Sequence, residues 1–276
     1  MTPVDYRHQT TLITGASSGL GAEFARRLAA RGSDLVLVAR RRDRLEALAA
    51  ELTAAHGVRV TVIDLDLSAP AAGERLAAEV DRRGLAVTSL INNAGFGTWG
   101  PLHEADPERL RQEITLNCTT LVDVSRAFID RLRDAGTGVL INVASTAAYQ
   151  AVPNMAVYGA TKAFVLSFTE ALWQESQGTG LRVLCLSPGA TRTEFFDVVG
   201  TEDAAAGTPM QTPEQVITTA LSTLDRRTPP PSVVSGRRNR ALTMAGRLIT
   251  RRRAVLTVAA MTRPRGDRRR TSDRVG

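Results

Sequence analysis

The sequence predicts an α/β fold in which helices cover both faces of a parallel β-sheet. Short apolar runs of the length of a buried strand alternate along the chain with longer segments of helical periodicity. Parallel strands need crossover connections, and these crossovers are right-handed, so the regular alternation indicates a doubly wound sheet. The chain of 276 residues is long enough for one sizeable domain with its own core.

The strands are expected where the apolar runs are short and continuous. Strands at the buried centre of such a sheet are apolar on both faces, so they lack a polar alternation. Helical periodicity follows three of the runs, at 22–31, 42–55 and 71–83. The expected strands are 10–14, 35–39, 58–63, 89–91, 139–143 and 183–186, with a final strand after the proline run 229–231.

The first expected strand leads through a glycine-rich turn into a helix. Gly15, Gly19 and Gly21 lie in this turn. Glycine lets the backbone approach a ligand, and a helix amino terminus offers free N–H groups and a positive dipole end, so the arrangement suits a pyrophosphate. The spacing differs from the G-x-G-x-x-G fingerprint, and a tight strand-to-helix connection is the alternative interpretation.

The only lysine in the chain is Lys162, among 35 basic residues. Lysine is a compact charge with three rotatable donors whereas guanidinium is a broad fork, so this position favours lysine chemistry. Tyr158 lies four residues earlier, on the same face of a helix. We expect Lys162 to lower the pKa of Tyr158 towards neutrality, so that the phenol acts as a general acid and base. An ordinary surface pair on a helix is the alternative.

Five motifs occur in the order and at the spacings of one enzyme family. They are Thr14-Gly15-x-x-x-Gly19-x-Gly21, Asn92-Asn93-Ala94-Gly95, Asn117, Ser145 with Tyr158-x-x-x-Lys162, and Pro188-Gly189 with Thr193. On these residues the chain resembles the short-chain dehydrogenase/reductase family, over roughly residues 10–236. The resemblance implies a Rossmann-like fold with the ligand at the carboxyl ends of the strands, where Gly15, Asn93 and Ser145 all lie.

The resemblance also implies reversible hydride transfer between a nicotinamide and a carbonyl or alcohol carbon. Tyr158 would transfer the proton, Ser145 would bond the substrate oxygen, and Lys162 would hold the nicotinamide ribose. Asn117 would anchor a water that connects Lys162 to solvent, and Thr193 would hold the carboxamide. Local hydrogen bonding is the alternative role for Ser145 and Asn117. The implied cofactor contacts are Gly15, Ser17, Ser18, Gly19, Leu20, Gly21, Arg40, Arg41, Asp66, Leu67, Asn93, Ala94, Gly95, Tyr158, Lys162, Pro188, Gly189, Thr191 and Thr193.

Arg40 and Arg41 follow the second strand, where an NAD-dependent relative would usually carry an acid against the adenosine ribose. Arginine there can form charge-assisted bonds with a 2′-phosphate. We therefore expect NADP(H), with Arg40 as the main contact and Arg41 and Ser17 beside it, and NAD(H) as the second cofactor considered. A solvated helix start is the alternative role for the arginines. Asp66 resembles the adenine-contacting acid of the family, with Asp64 as a competitor and helix capping as the alternative role.

Apolar side chains in the segments expected around the reacting carbon indicate a lipophilic or aromatic carbonyl substrate rather than a sugar. Residues 194–209, rich in Ala, Gly and Thr, are expected to form a mobile loop over the site. Packing in a lid or in a subunit contact is the alternative role for several of the apolar side chains. The apolar side chains expected around the reacting carbon are Phe96, Trp99, Val152, Met155, Phe195, Phe196 and Met210.

The net charge of +7 is confined to the carboxyl-terminal part of the chain. Residues 236–276 carry a net charge of +11, and the rest of the chain carries −4, so nucleic-acid binding is not expected. We expect a catalytic domain at 1–236, a basic amphipathic extension of one or two helices at 237–262, and a disordered arginine-rich tail at 263–276. Packing of the extension on the body or at a subunit interface is preferred over contact with an anionic membrane.

The remaining features constrain the compartment and the class of protein. The chain has no amino-terminal apolar signal segment, so it is expected in the cytoplasm. Cys118 and Cys185 indicate neither a disulfide framework nor a metal site. The family resemblance implies a homo-oligomer. A non-catalytic nucleotide sensor, a membrane-recruited binding protein, and an epimerase or dehydratase are the alternative functions, although a sensor would have little reason to keep Ser145, Tyr158 and Lys162 together.

Overall fold

A seven-stranded parallel sheet forms the centre of the protein, whose computed structural model describes residues 4–205, 207–246 and 248–262. The strand order is β3-β2-β1-β4-β5-β6-β7, so the direction of winding reverses between β1 and β4. A reversal of this kind opens a crevice beyond the carboxyl ends of the strands. The strands are β1 (Thr10–Thr14), β2 (Asp34–Ala39), β3 (Val60–Asp64), β4 (Ser89–Asn92), β5 (Val139–Val143), β6 (Arg182–Ser187) and β7 (Ser232–Val234).

Helices cover both faces of the sheet and enclose two main apolar cores. Helices α1, α2 and α8 pack on one face, and α3, α5 and α6 pack on the other. The described helices are α1 (Gly19–Ala29), α2 (Arg42–His56), α3 (Ala72–Arg82), α4 (Pro107–Ile114), α5 (Thr120–Ala135), α6 (Ala156–Glu175), α7 (Phe195–Val199), α8 (Pro213–Leu224), α9 (Arg237–Gly246) and α10 (Arg251–Met261).

Successive strand residues alternate between the two cores. In β1, Ile13 packs in the core beneath α1 whereas Leu12 packs in the core beneath α5, and neither side chain is exposed. The side-chain period of two in a strand therefore serves both faces at once. This double burial explains why the strands are continuous apolar runs in the sequence.

Local signals set the ends of several helices. Thr212 and Gln215 form a reciprocal capping box at the start of α8, and Asp106 caps α4. Gly57 and Gly136 end α2 and α5 in the left-handed conformation, at φ values of 69° and 66°. Glycine adopts this conformation without the steric cost that a side chain would bring.

The predicted fold class is confirmed, and most element boundaries lie within two residues of the predicted ones. The first helix begins earlier than expected, because the last glycines of the turn already belong to α1. The expectation of a loop at 194–209 is wrong in its secondary structure: α7 and a 3-10 turn at Glu202–Ala205 occupy much of it. Phe195 holds this segment against the body by packing on Tyr158, and Phe196 packs on Phe195 within the segment.

The extension after residue 236 forms the pair of helices α9 and α10, and it packs on the body. None of the helices in the part of the chain that the structure describes is long and apolar enough to cross a membrane. The arginine-rich tail that was expected to be disordered, 263–276, lies outside the described residues.

Candidate active site

A cleft of about 560 Å³ lies beyond the carboxyl ends of the strands. It brings together three of the four predicted catalytic residues, Ser145, Tyr158 and Lys162, although they come from a 3-10 turn and a helix after β5. Every predicted cofactor contact lines this cleft except Gly21. Asn117 does not line it either, and acts on the site through other residues.

The glycine-rich turn has the shape of a phosphate cradle. Gly15 and Gly19 have φ values of 66° and 55°, in the region that favours glycine. A Cβ atom on Gly21 would lie 2.3 Å from the carbonyl oxygen of Gly15, so only glycine lets α1 start this close to β1. No side chain caps the first turn of α1. Its first N–H groups therefore face the cleft as donors for an anion, which fits the pyrophosphate of a dinucleotide.

Asn93 fastens the cradle to the neighbouring strand. Its Nδ2 atom donates to the carbonyl oxygens of Thr14 and Gly15, at 3.0 and 3.3 Å. The Thr14 hydroxyl in turn accepts from the backbone N–H groups of Asn93 and Ala94, at 2.9 and 3.1 Å. The turn after β4 thus holds the glycine turn after β1 in position, across the point where the winding reverses.

Two arginines just before α2, Arg40 and Arg41, line the cleft beside the glycine-rich turn. Arg41 donates to the Ser17 and Ser18 hydroxyls at 3.0 and 2.8 Å, and to the Glu194 carboxylate at 2.7 Å. Arg44 donates to the other oxygen of Glu194. These arginines hold the pKa of the Glu194 carboxyl below its usual value. Arg40 is exposed and forms no hydrogen bond or ion pair within the described chain, so its guanidinium is open to a ligand.

The acids predicted near the adenine are separated by the structure. Asp66 lines the cleft, and its carboxylate accepts from the Ser68 N–H at 2.9 Å. Asp64 does not line the cleft and lies 3.8 Å from Arg42. Asp66 is therefore the acid that a bound nucleotide can reach.

Tyr158 and Lys162 are both buried on one face of α6. The predicted lowering of the Tyr158 pKa by Lys162 is wrong. Burial raises the pKa of Tyr158 to about 12; a hydrogen bond with Ser145 opposes the rise and Glu113 adds to it. Lys162 Nζ donates to the Val143 carbonyl at 2.8 Å and lies 5.8 Å from the Tyr158 ring centre, so it bonds the backbone rather than the phenol. Burial also lowers the pKa of Lys162 to about 8.

Asn117 lies in a single π-helical turn, Thr115–Thr119, between α4 and α5. Such turns are frequent at functional sites. Its Nδ2 atom donates to the Phe96 carbonyl at 2.8 Å and to the Thr161 hydroxyl at 3.1 Å, and its Oδ1 atom accepts from the Phe96 N–H at 3.1 Å. Asn117 therefore ties the segment after β4 to α6, beside Tyr158. Its predicted role as a water anchor stays a prediction.

A fully buried carboxyl lies near Tyr158 and Lys162, and it was not predicted from the sequence. Glu113 on α4 has no exposed surface, and neither of its carboxyl oxygens has a hydrogen-bond partner among the residues that the structure describes. Burial raises the pKa of this carboxyl, and the neighbouring Thr98, Arg109 and Lys162 offset the rise only in part. The ionised form is thus disfavoured in the folded protein.

We expect Glu113→Gln to stabilise the protein at alkaline pH. The folded state binds the Glu113 proton more tightly than the unfolded state, so the native carboxyl loses stability as pH rises above its ordinary pKa of 4.5. A neutral amide avoids this loss. A buried carboxylate without a paired cation costs more than a neutral amide of the same shape, so Tm should rise by a few degrees at about pH 8. Near pH 4 the gain should vanish.

Differential scanning calorimetry at both pH values measures this effect. Glu108→Gln is the matched control, because Glu108 lies on the same helix but is exposed and pairs with Arg111 at 3.2 Å. An equal change in Tm at both pH values would contradict an ionisable origin for the effect.

The other end of the cleft has mostly apolar walls, as predicted. Of the predicted side chains, Trp99 and Met210 do not line it. The chain leaves the cleft after Phe96, and the Gly100 N–H donates to the Asn154 carbonyl. Met210 is displaced because the next residue bonds into a bridge with the segment after β6. The predicted residues that do line the cleft are Phe96, Val152, Met155, Phe195 and Phe196.

The helical extension supplies part of the wall that sequence reasoning missed. Leu242 and Thr243 from α9, with Val258 and Met261 from α10, line the same cleft as Tyr158. The sequence shows the apolar periodicity of the extension, but it does not show on which surface the extension packs. Arg109, Gln112, Gln150, Glu194, Val198, Asn239 and Thr262 also line the cleft and carry no motif that would have marked them.

Comparisons with known proteins agree with this geometry. The family model described as short chain dehydrogenase matches residues 9–204. Sulfoacetaldehyde reductase 2 of Chromohalobacter salexigens is 39% identical over 197 residues, which cover 71% of this chain and 77% of that protein.

Two solved structures extend the comparison to the fold. A short-chain dehydrogenase from Sphingobium yanoikuyae in complex with NADPH superposes with a TM-score of 0.76 at 36% identity, covering 87% of this chain and 93% of that one. A 7beta-hydroxysteroid dehydrogenase superposes with a TM-score of 0.82 at 27% identity, covering 94% of this chain and 100% of that one. The second likeness is long enough to reach into the extension.

Proposed function

Because the chain belongs to the short-chain dehydrogenase family, we propose that it is an NADP(H)-dependent oxidoreductase acting on a carbonyl or secondary alcohol. The observation that carries this proposal is the meeting of Ser145, Tyr158 and Lys162 in one cleft with the glycine-rich cradle. A nucleotide sensor needs the cradle but not an acid–base side chain at the other end of the cleft.

The chain's own residues fit a dinucleotide along the whole length of the cleft. The amino terminus of α1 and the glycine turn would hold the pyrophosphate, and Asp66 would meet the adenine. Lys162 would hold the nicotinamide ribose, while Thr193, which packs against Gly19, would hold the carboxamide. When bound, the cofactor supplies or accepts the hydride at the substrate carbon.

Two side chains act on the reacting oxygen: Tyr158 transfers the proton, and Ser145 forms a hydrogen bond. In reduction, the Tyr158 hydroxyl gives its proton to the carbonyl oxygen as the C=O double bond becomes an alcohol C–O bond. Its raised pKa keeps the phenol protonated at neutral pH, which is the form that an acid needs. Ser145 lies at the N-cap of the turn before α6, where its hydroxyl can bond the same substrate oxygen. In oxidation Tyr158 takes the proton back.

The preference for NADP(H) follows from the charges at the adenosine end. Arg40 is unengaged, and Arg41 is already bonded to the hydroxyls of Ser17 and Ser18. A 2′-phosphate placed there would meet two guanidinium groups and a hydroxyl, the donors that bind phosphate best. The relative from Sphingobium yanoikuyae, solved with NADPH, supports the same assignment.

We expect Glu194→Gln to tighten NADPH binding. The Glu194 carboxylate accepts from Arg41 and Arg44, so it competes with a 2′-phosphate for the same cations. Exposed ion pairs are worth about 0.2–1 kcal/mol, which corresponds to a fall in the NADPH Kd of about twofold to fivefold. The NADH Kd should not change, since NADH has no phosphate at this position. Titration calorimetry without substrate measures both constants.

Glu46→Gln is the matched control for this change. Glu46 is an exposed acid on the same helix as Arg44, but it pairs with Arg42, which does not line the cleft. A weaker binding of both nucleotides by Glu194→Gln would instead identify Glu194 as a clasp over the bound cofactor.

The walls around the reacting carbon favour a lipophilic substrate. Val152, Met155, Phe195 and Leu242 line this end, and no sugar-binding array of acids and amides faces them within the described chain. The amides that line the cleft are Gln112, Gln150, Asn239 and Asn93, and the Asn93 amide is already bonded to the glycine turn. Apolar walls with a few polar groups are typical of sites for small hydrophobic ligands.

Assembly and location remain proposals that rest on the family. We propose a homo-oligomer in the cytoplasm, in which a second subunit covers the exposed apolar side chains of the extension, such as Leu248 and Leu256. Sedimentation velocity of the full chain would measure the assembly. Co-sedimentation with anionic vesicles would measure the alternative, a contact between the basic extension and a membrane.

The first test is NADPH and NADH oxidation by the purified full chain with a panel of aldehydes, ketones and quinones. Faster turnover with NADPH is the expected result. Nucleotide binding without turnover of any carbonyl compound would favour a sensor, and binding of neither nucleotide would overturn the proposal.

A further inference from the structure

Arg109 on α4 is a cation at the substrate end of the cleft. Its guanidinium lies 5.1 Å from the centre of the Phe96 ring and donates to the Val198 carbonyl at 2.9 Å. Asn117 holds both backbone polar groups of Phe96, so the aromatic platform beneath Arg109 is itself fixed. Arg109 is therefore held in place beside the cleft that it lines, rather than extended into solvent.

This guanidinium has unused binding capacity. Arginine offers five N–H donors, and the bond to Val198 uses one of them. No carboxylate in the described parts of the chain lies within 4.0 Å of Arg109. Glu113 lies four residues later on the same helix and interacts electrostatically with Arg109, but its buried oxygens accept no hydrogen bond from the guanidinium and burial disfavours its ionised form. A half-buried cation that is held in one orientation and forms no ion pair within the described chain is a suitable site for a carboxylate.

The position of Arg109 separates it from the cofactor. The residues that suit the nucleotide phosphates are the glycine turn, Arg40 and Arg41, whereas Arg109 contacts Phe96 and the end of α7. Phe195, at the start of α7, packs on Tyr158 with ring centres 5.4 Å apart. Arg109 and Tyr158 therefore border one apolar compartment, joined by Phe96 and Phe195.

We propose that Arg109 binds a carboxylate of the substrate, so that the substrate is an oxo acid, or the corresponding hydroxy acid, with an apolar body. This inference rests on the proposed oxidoreductase function and names its substrate class. Arg109 fixes the acid group at one end of the apolar compartment, and this places the carbonyl carbon at the other end beside Tyr158 and Ser145. Val152, Met155 and Leu242 enclose the body of the molecule between them.

The test uses a series of oxo acids of increasing chain length, each as the free acid and as its methyl ester. The ester keeps the carbonyl and the apolar body but removes the charge. The wild-type enzyme should prefer the acid by kcat/KM. Arg109→Gln should lower kcat/KM for the acid about tenfold to a hundredfold, mainly through KM, and should leave the ester within about twofold. Arg109→Lys should have a kcat/KM for the acid between those of the wild-type enzyme and Arg109→Gln, because lysine keeps the charge but lacks the planar fork of the guanidinium.

Arg111→Gln is the matched control, because Arg111 lies on the same helix, is exposed and pairs with Glu108. The Arg111→Gln variant should leave kcat/KM unchanged for both the acid and the ester. An equal loss of kcat/KM for the acid and the ester in Arg109→Gln would mean that Arg109 only stabilises the position of α7. That result would overturn the proposal. Preference of the wild-type enzyme for the esters would do so too. In both cases intact reduction of neutral ketones and an unchanged NADPH Kd would leave the oxidoreductase assignment standing.

Discussion

Replacing Tyr158 with phenylalanine is expected to slow the reduction of carbonyl compounds about 10²–10⁴-fold, the usual contribution of a positioned general acid. The loss should appear in kcat, because the phenol hydroxyl acts on the oxygen whose charge develops during the reaction. The ring itself should stay in place, since Phe195 packs on it with centres 5.4 Å apart. NADPH binding, measured without substrate, should therefore change by no more than about twofold.

The reverse reaction gives the same residue an independent signature. Tyr158 must lose its proton to act as a base, and burial raises its pKa to about 12. The rate of alcohol oxidation by the native enzyme should therefore rise with pH throughout the alkaline range below that value, and this rise should be absent in Tyr158→Phe.

Tyr149→Phe is the matched control. Tyr149 lies in the 3-10 turn just before α6 but does not line the cleft, so its loss should leave turnover within about twofold. If Tyr158→Phe retained more than about a tenth of native turnover, a different acid would have to carry the reaction.

Removing the guanidinium of Arg40 is expected to weaken NADPH binding about tenfold to a hundredfold, while NADH binding stays within about twofold. A hydrogen bond to a charged group is worth about 1.5–3 kcal/mol, and Arg40 has no bond within the described chain that its removal would break. Arg41→Ala should cost less, because its guanidinium is shared with Ser17, Ser18 and Glu194. Titration calorimetry with both nucleotides measures the two variants.

Arg42→Ala serves as the control for these variants. Arg42 adjoins Arg41 in the sequence, but it pairs with Glu46 and does not line the cleft. Equal losses of NADPH and NADH affinity in Arg40→Ala would mean that Arg40 contacts a group common to both nucleotides, and the preference for NADP(H) would need another origin.

The helical extension adds apolar side chains to the cleft that the family motifs do not include. A cradle, a tyrosine and a lysine are enough to move a hydride and a proton, but they do not select a substrate. In this chain, Leu242, Val258 and Met261 close the apolar end from residues that lie after the last strand. The wall of the cleft therefore includes a segment that carries none of the motifs.

The amino-acid sequence by itself determined the sheet, the glycine-rich cradle and the choice of Ser145, Tyr158 and Lys162 as the candidate catalytic side chains. The strands of a doubly wound sheet are continuous apolar runs because both faces are buried, as Leu12 and Ile13 show. Gly15 and Gly21 were readable because no other residue fits where they lie. These signals are local, so the residues next to each other in the sequence are enough to predict the strands and the glycine-rich turn.

Only the tertiary structure decided how the site is charged and enclosed. Glu194 reaches Arg41 across 153 positions of sequence, and Val258 reaches the cleft from a helix that follows every strand. The pKa of Tyr158 is shifted opposite to the prediction because burial raises it, while the Lys162 ammonium bonds the Val143 carbonyl rather than the phenol. Desolvation and long-range pairing depend on which surfaces meet, and periodicity along one chain does not contain that information.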